Sequence, residues 1–407
     1  MHELNSLLGF YPNQDQLKAL EEIKGFLSGE STDDVFILKG SAGTGKTSIV
    51  KAITHQLYKQ STLVRILAPT GRAANVIYNK TGVSTQTIHS AIYYPVTLEN
   101  GNVQLLRKDN EKRGYTVFIV DESSMVSNQL HFNSDFQVNR PLLDELIDYV
   151  KQGNKKNKII FVGDRFQLPP VKEIFSPALC SDYIKSTFNL KCKEFELFEV
   201  MRHAEGSEVL QIATDIRDVM MHSSISTMDV SIDKYQYSSE ALKWYLSCYD
   251  EDNMDSVTMI CAANKNVDTW NKIIRNNLGF KSQFLQLGDK IVTQETWMNK
   301  EGQMIFKGSF GKIVSISNTH KEYAGLHFVD AEVCFINNGI ETIIDTKIIL
   351  ESIYTNHGKL SHDKEKKLFA EAMKHNPDFR ETLNRFVDPY VGAMRVRHSY
   401  AITCHKS

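Results

Sequence analysis

The stretch GSAGTGKT, Gly40 to Thr47, follows the pattern G-x-x-x-x-G-K-T. Residues of these types at this spacing hold phosphate. Glycine frees the backbone, so N–H groups of Gly40, Ser41, Ala42, Gly43, Thr44 and Gly45 can wrap phosphate oxygens, and the positive end of a following helix adds its attraction. Lys46 is placed to neutralise the β- and γ-phosphates, and Thr47 to ligate Mg²⁺. A second group stands in VFIVDESSM. Asp121 ends an apolar run, a position from which a carboxylate holds Mg²⁺ through water. Glu122 beside it can orient and deprotonate an attacking water. In FVGDRFQLPPV, Gln167 lies a few residues past another apolar run, where its amide could read a γ-phosphate or that water. A loop stiffened by Pro169 and Pro170 is the structural alternative. The three groups together predict hydrolysis of a nucleoside triphosphate.

Such residues need a rigid frame. Val35–Leu38, Leu63–Ala68, Val117–Val120 and Lys158–Val162 are short β-branched runs that read as strands buried on both faces. Helical patterns separate several of them, as over Ser48–Tyr58, where Ile49, Val50, Ile53 and Leu57 share a side. Buried strands alternating with helices imply an α/β class with a parallel sheet. YYPVTLENGNVQLLRK interrupts the pattern, and its Asn-Gly pair predicts a β-hairpin over residues 93–108. A second α/β unit is expected from about Glu194, with a strand at Val257–Asn264 and a helix burying Val267, Trp270, Ile273 and Ile274. Residues 285–354 read as strands broken by Gly and Asn, which suggests a small barrel. A Lys/Glu-rich helical stretch follows over His362–Phe386.

Composition sets the class. A chain of 407 residues outgrows a single core, so two or more domains are expected. A net charge of −2 gives no overall attraction for polyanions, so nucleic acid would need a local basic surface. The six cysteines show no C-x-x-C spacing, which argues against zinc and iron–sulfur sites and for thiols in a reducing compartment. The N-terminal stretch has no signal-peptide pattern, and no apolar run is long enough to span a membrane. A cytoplasmic protein is expected.

With LAPTGRAA (Leu67–Ala74), TIHS (Thr87–Ser90) and LFEVMRH (Leu197–His203) in order between and after these motifs, the chain resembles superfamily-one DNA helicases of the RecD/Dda-like branch. The resemblance implies two RecA-like domains, with ATP between them and Mg²⁺ as cofactor. The first domain would span 1–92 and 109–193, with the hairpin as a strand-separating pin. The second would span 194–284 and 395–407, with residues 285–354 as an SH3-like barrel and 355–394 as a helical insertion. It implies Gln16 as the reader of adenine, where an exposed helix residue is the plain alternative. Arg202 would reach the γ-phosphate, with a surface ion pair as its alternative. Pro69, Thr70, Arg72, His89, Asn264, Thr403, His405 and Lys406 would face single-stranded DNA. Tyr93 and Tyr94 could stack on bases, although packing is the commoner use of such residues.

The implied activity is 5′→3′ travel on single-stranded DNA and unwinding at single/double-strand junctions, by a monomer working with replication, repair or nuclease partners. Backbone contacts of this kind suit RNA as well as DNA. The closing YAITCHKS resembles a family segment that continues with Gln-Gly. A truncated chain without a second arginine finger is therefore expected, one that binds ATP and DNA but turns over slowly. An ATP-gated DNA-binding module or nuclease-complex subunit is the alternative this raises. A regulatory GTPase is disfavoured: in NKNVD, Asp268 falls one position beyond the guanine-reading pattern.

Overall fold

The computed structural model describes residues 11–97, 103–111, 113–130, 139–200, 208–222, 238–253, 256–295, 297–298, 304–305, 307–337, 340–355, 360–382 and 384–403. Arg202, His405 and Lys406 lie outside them. The chain divides into two compact units: residues 1–67, 110–128 and 150–241 in the first, and 68–109, 129–149 and 242–407 in the second.

In the first unit, five strands lie side by side in the order Leu63–Ala68, Thr116–Val120, Lys158–Gly163, Val35–Gly40 and Cys192–Leu197. Every neighbouring pair is parallel. The run Val35–Leu38 is fully buried, as are Val117–Val120 and Ile159–Val162. At about 1.5–3 kcal/mol for each large apolar side chain removed from water, these three strands supply much of the drive that forms the unit. The helix Lys46–Lys59 buries Ile49, Val50, Ile53 and Leu57, the face its periodicity predicts. Four strands match their sequence expectation closely. The fifth, Cys192–Leu197, straddles the expected boundary at residue 194 and pairs along its whole length with Val35–Gly40. Its alternating Lys and Glu residues hid it, because an edge strand needs little apolar sequence.

In the second unit, Tyr93–Thr97 and Val103–Arg107 pair antiparallel, Tyr93 opposite Arg107. Tyr93 is buried and Tyr94 is exposed. Strands Lys290–Thr293, Phe310–Ile316, Lys321–Tyr323, Leu326–Asn337 and Ile340–Ile349 form an antiparallel sheet. It gathers Ile291, Ile313, Val329, Val333, Phe335 and Ile348 into one core. Val396–His398 joins this sheet beside Lys290–Thr293, although sequence reading assigns it elsewhere. The next strand, Ala401–Thr403, pairs parallel with Met259–Cys261. Helix His362–His375 packs Leu368 and Ala372 against Leu326, Phe328 and Ile349. Five of the six cysteines are described, and all five are free thiols. No described helix is long and apolar enough to cross a membrane.

Candidate nucleotide-binding site

The five strands named in the first unit run the same way, so their carboxyl ends share one edge. In open parallel sheets that edge is where ligands bind. Strand Val35–Gly40 delivers the Gly-rich loop there, Thr116–Val120 delivers Asp121 and Glu122, and Lys158–Gly163 delivers the segment carrying Gln167.

The loop's shape follows from its glycines and hydroxyls. Gly45 has φ +91°, and a Cβ there would sit 2.3 Å from the Gln16 side-chain nitrogen. Conformation and space both demand glycine. Buried Thr44 turns its hydroxyl back to the Ser41 carbonyl at 2.9 Å, tightening the loop into one turn. Lys46 Nζ donates to the carbonyls of Gly40 at 2.6 Å and Ser41 at 3.0 Å, so its charge lies along the inside of the loop. Thr47 follows in the first helical turn.

Gln16 is buried on helix Gln14–Leu27. Its Oε1 accepts from the Asn13 N–H at 3.2 Å, while Asn13 Oδ1 accepts from the Gln16 N–H at 2.8 Å. This reciprocal cap fixes the helix start. The Gln16 Nε2 donates to the Thr44 carbonyl at 3.0 Å. The side chain therefore links the first helix to the phosphate loop, and it is not the exposed helix residue of the plain alternative.

Asp121 is buried, and its Oδ1 accepts from the Glu122 N–H at 2.9 Å. Glu122 itself is held at φ 52°, ψ 38°, in the left-handed region that residues with a Cβ seldom occupy. Gln167 is exposed, and its Oε1 accepts from the hydroxyl of buried Ser124 at 3.1 Å. Sequence reasoning passed over Ser124, because a serine after two carboxylates has no signal of its own.

Thr47 and Asp121 offer a hydroxyl and a carboxylate. Hard oxygen donors in small number suit Mg²⁺, which keeps several waters and takes the rest from phosphates. Among the described residues no group of three or more His, Cys, Asp or Glu is gathered for a metal.

The residues expected to face DNA all belong to the second unit, where described. Thr70 caps helix Gly71–Thr81, its Oγ1 accepting from the Ala73 N–H at 3.2 Å. The Arg72 guanidinium lies 4.8 Å from the Phe310 ring centre. His89, half-buried, has its pKa pushed down to about 4, first by loss of water and then by the Lys307 charge. The segment 307–310 thus puts Phe310 against Arg72 and the Lys307 charge within influence of His89, while Pro69 precedes the Thr70 cap. A second group forms where Met259–Cys261 and Ala401–Thr403 end together. Thr403, buried, is paired with Cys261. Asn264 opens the next helix and accepts through its Oδ1 from Arg397 at 3.0 Å. Asp268 of NKNVD likewise accepts from Arg397 Nε at 3.0 Å.

Residues 12–230 match the family model described as AAA domain. The chain is 27% identical over 269 residues to the ATP-dependent DNA helicase dda of Enterobacteria phage T4, covering 63% of this chain and 56% of that protein. It is 24% identical over 406 residues to the ATP-dependent DNA helicase Pif1 of Campylobacter jejuni, covering 92% of this chain and 80% of that protein. The crystal structure of Pif1 helicase from Candida albicans aligns over 98% of this chain and 86% of its own, with 14% identity and a TM-score of 0.46. The chain spans little more than half the length of the phage relative. The chain belongs to the AAA domain family, and the relatives it resembles along most of its length are ATP-dependent DNA helicases of the Dda and Pif1 kind.

Proposed function

We propose that this chain couples ATP hydrolysis to 5′→3′ movement along single-stranded DNA and so unwinds duplexes. What carries the reading is the shared carboxyl edge of one parallel sheet, which presents the Gly40–Thr47 loop, Asp121, Glu122 and Gln167 together. Loop N–H groups take the phosphate oxygens, and Lys46 exchanges the Gly40 and Ser41 carbonyls for the β- and γ-phosphates. Thr47 and Asp121 would hold Mg²⁺, which when bound neutralises charge building between those phosphates. Glu122 accepts the proton of the attacking water. With its carbonyl engaged by Ser124, Gln167 keeps its Nε2 hydrogens for the water or the γ-phosphate. Arg202 stabilises the departing charge, and Gln16 faces the adenine.

Two RecA-like domains closing on ATP and relaxing after hydrolysis would grip the strand alternately. One grip is Pro69, Thr70, Arg72 and His89, and the other is Asn264, Thr403, His405 and Lys406. The paired strands at 93–97 and 103–107 would serve as the separating pin, and the antiparallel sheet of residues 290–349 as an SH3-like barrel supporting the track. The protein would act as a cytoplasmic monomer at single/double-strand junctions, beside replication or repair proteins.

The test is strand separation on fluorescent duplexes carrying a 5′ or a 3′ tail, with ATP and Mg²⁺. Opening of the 5′-tailed duplex alone, lost in Lys46→Ala, is expected. Nucleotide-dependent DNA binding with no opening of either duplex would replace the helicase with an ATP-gated binding module.

A further inference from the structure

We propose that Arg217 is a further cation of the nucleotide site, one that contacts the terminal phosphate of a bound nucleoside triphosphate; the proposal rests on the nucleotide-binding reading above. Arg217 lies on helix Glu208–His222. Its Nη1 donates to the Ser41 hydroxyl, inside the phosphate loop. Its Nη2 donates to Thr214 Oγ1, one turn back on the same helix, at 2.9 Å. The guanidinium is thus braced from behind and aimed at the loop. Ser41 is also where Lys46 is held, through its carbonyl at 3.0 Å. Two cations therefore converge on one loop residue, Lys46 on its carbonyl and Arg217 on its hydroxyl.

Like charges drawn to one spot repel each other, and an anion placed between them lowers that cost. A triphosphate seated in this loop supplies that anion. A serine hydroxyl is a neutral acceptor, whereas a phosphate oxygen is charged and makes a shorter, stronger bond with guanidinium. Exchange of the Ser41 hydroxyl for a phosphate oxygen is the favoured move for Arg217. Arginine's planar fork can take two phosphate oxygens at once, which lysine cannot do. Lys46 lies along the inside of the loop and bridges the β- and γ-phosphates, so Arg217 is left the outer oxygens of the γ-phosphate, which ATP has and ADP lacks. No motif marks this arginine. It sits among Thr214, Asp215 and Asp218 in an ordinary amphipathic helix, and only the fold brings it to the loop.

The experiment measures binding of a non-hydrolysable ATP analogue and of ADP to the wild type, Arg217→Ala and Arg217→Lys, with Mg²⁺, alongside steady-state turnover. Arg217→Ala should lose roughly ten- to hundredfold in affinity for the triphosphate, the worth of a hydrogen bond to a charged group. Its ADP affinity should stay within about twofold, because the loop itself is intact. Turnover should fall on the order of 10³-fold, the lower end for arginines that stabilise phosphoryl transfer. Arg217→Lys should recover part of the triphosphate affinity and little of the turnover. Equal losses for both nucleotides would make Arg217 a brace of the loop and overturn the proposal, as would unchanged binding in both variants. A wild type that binds neither nucleotide would remove the proposal together with the nucleotide-binding reading. Binding and hydrolysis that survive Arg217→Ala would remove this proposal alone.

Discussion

The side chain of Gln16 donates to the Thr44 carbonyl at 3.0 Å, so the phosphate loop is tied to the start of the first helix. The same side chain completes the cap with Asn13. Gln16→Ala removes a capping bond and a buried bond to the loop, and should cost about 1–2 kcal/mol in unfolding free energy. Comparing ATP with inorganic tripolyphosphate then separates two roles. A reader of adenine loses affinity for ATP alone when truncated, whereas a strut of the loop loses affinity for both. Equal weakening would take the adenine contact away from Gln16.

Glu122 sits at φ 52°, and a left-handed residue with a Cβ costs roughly 1–2 kcal/mol. Such strain persists at sites where geometry serves chemistry. Glu122→Gly should therefore raise thermal stability while abolishing ATP turnover. Glu122→Gln keeps the strain, and should bind ATP normally yet hydrolyse it at least about a hundredfold more slowly, the usual worth of a general base. A Glu122→Gly protein with normal turnover would remove this carboxylate from the mechanism.

The contrast between Lys46 and Arg217 shows what sequence can carry. Lys46 is legible because the phosphate loop is local: eight consecutive residues fix backbone, charge and helix start together. The buried strands are legible for the same reason, since burial on both faces requires unbroken apolar runs. Arg217 meets Ser41 across 176 positions, and nothing in either neighbourhood announces the other. Ser124 and Gln167 are 43 apart and equally silent. Thr70 is a mixed case. The residue stands out in the sequence, but its cap on helix Gly71–Thr81 is a local structural use that a functional motif obscures. Val396–His398 is illegible in the sequence because a three-residue strand has no period of its own, and its sheet is chosen by long-range pairing with Lys290–Thr293.

Arg72 lies over Phe310 and His89 feels the charge of Lys307, but the two offer different chemistry to a nucleic acid. With a pKa near 4, His89 is neutral at pH 7 and brings no charge to a phosphate. Arg72 remains charged. In titrations of single-stranded DNA against salt, Arg72→Ala should reduce the slope of log K against log salt by about 0.7, one phosphate contact. His89→Gln should leave that slope unchanged at pH 7, whatever it does to affinity. A slope change in His89→Gln equal to that of Arg72→Ala would mean that the imidazole binds as a cation.

Acid should weaken the second unit in two separable steps. His89 has its folded pKa lowered from 6.5 to about 4, so its contribution is fully present above pH 6.5 and is lost as pH falls toward 4. The loss is at most about 3 kcal/mol for a shift of this size. Glu295 follows at lower pH. Burial pushes its carboxyl up, but the charges of Arg395 and Arg385 outweigh burial and hold it at about 2, below the ordinary 4.5. Arg385 Nη2 donates to Glu295 at 2.8 Å, and Arg395 Nη1 donates to Glu295 and, at 2.9 Å, to Glu365 on helix His362–His375. This network fastens that helix to the end of strand Lys290–Thr293. Its contribution is intact above pH 4.5 and declines toward pH 2. Denaturant unfolding measured from pH 7 to pH 2.5 should show the upper step flattened in His89→Gln and the lower step flattened in Glu295→Gln. Glu295→Gln should also cost about 3–5 kcal/mol at pH 7, because it leaves buried Arg395 and half-buried Arg385 short of a counter-charge. A Glu295→Gln curve parallel to the wild type below pH 4.5 would show that the carboxylate is not what the two arginines hold.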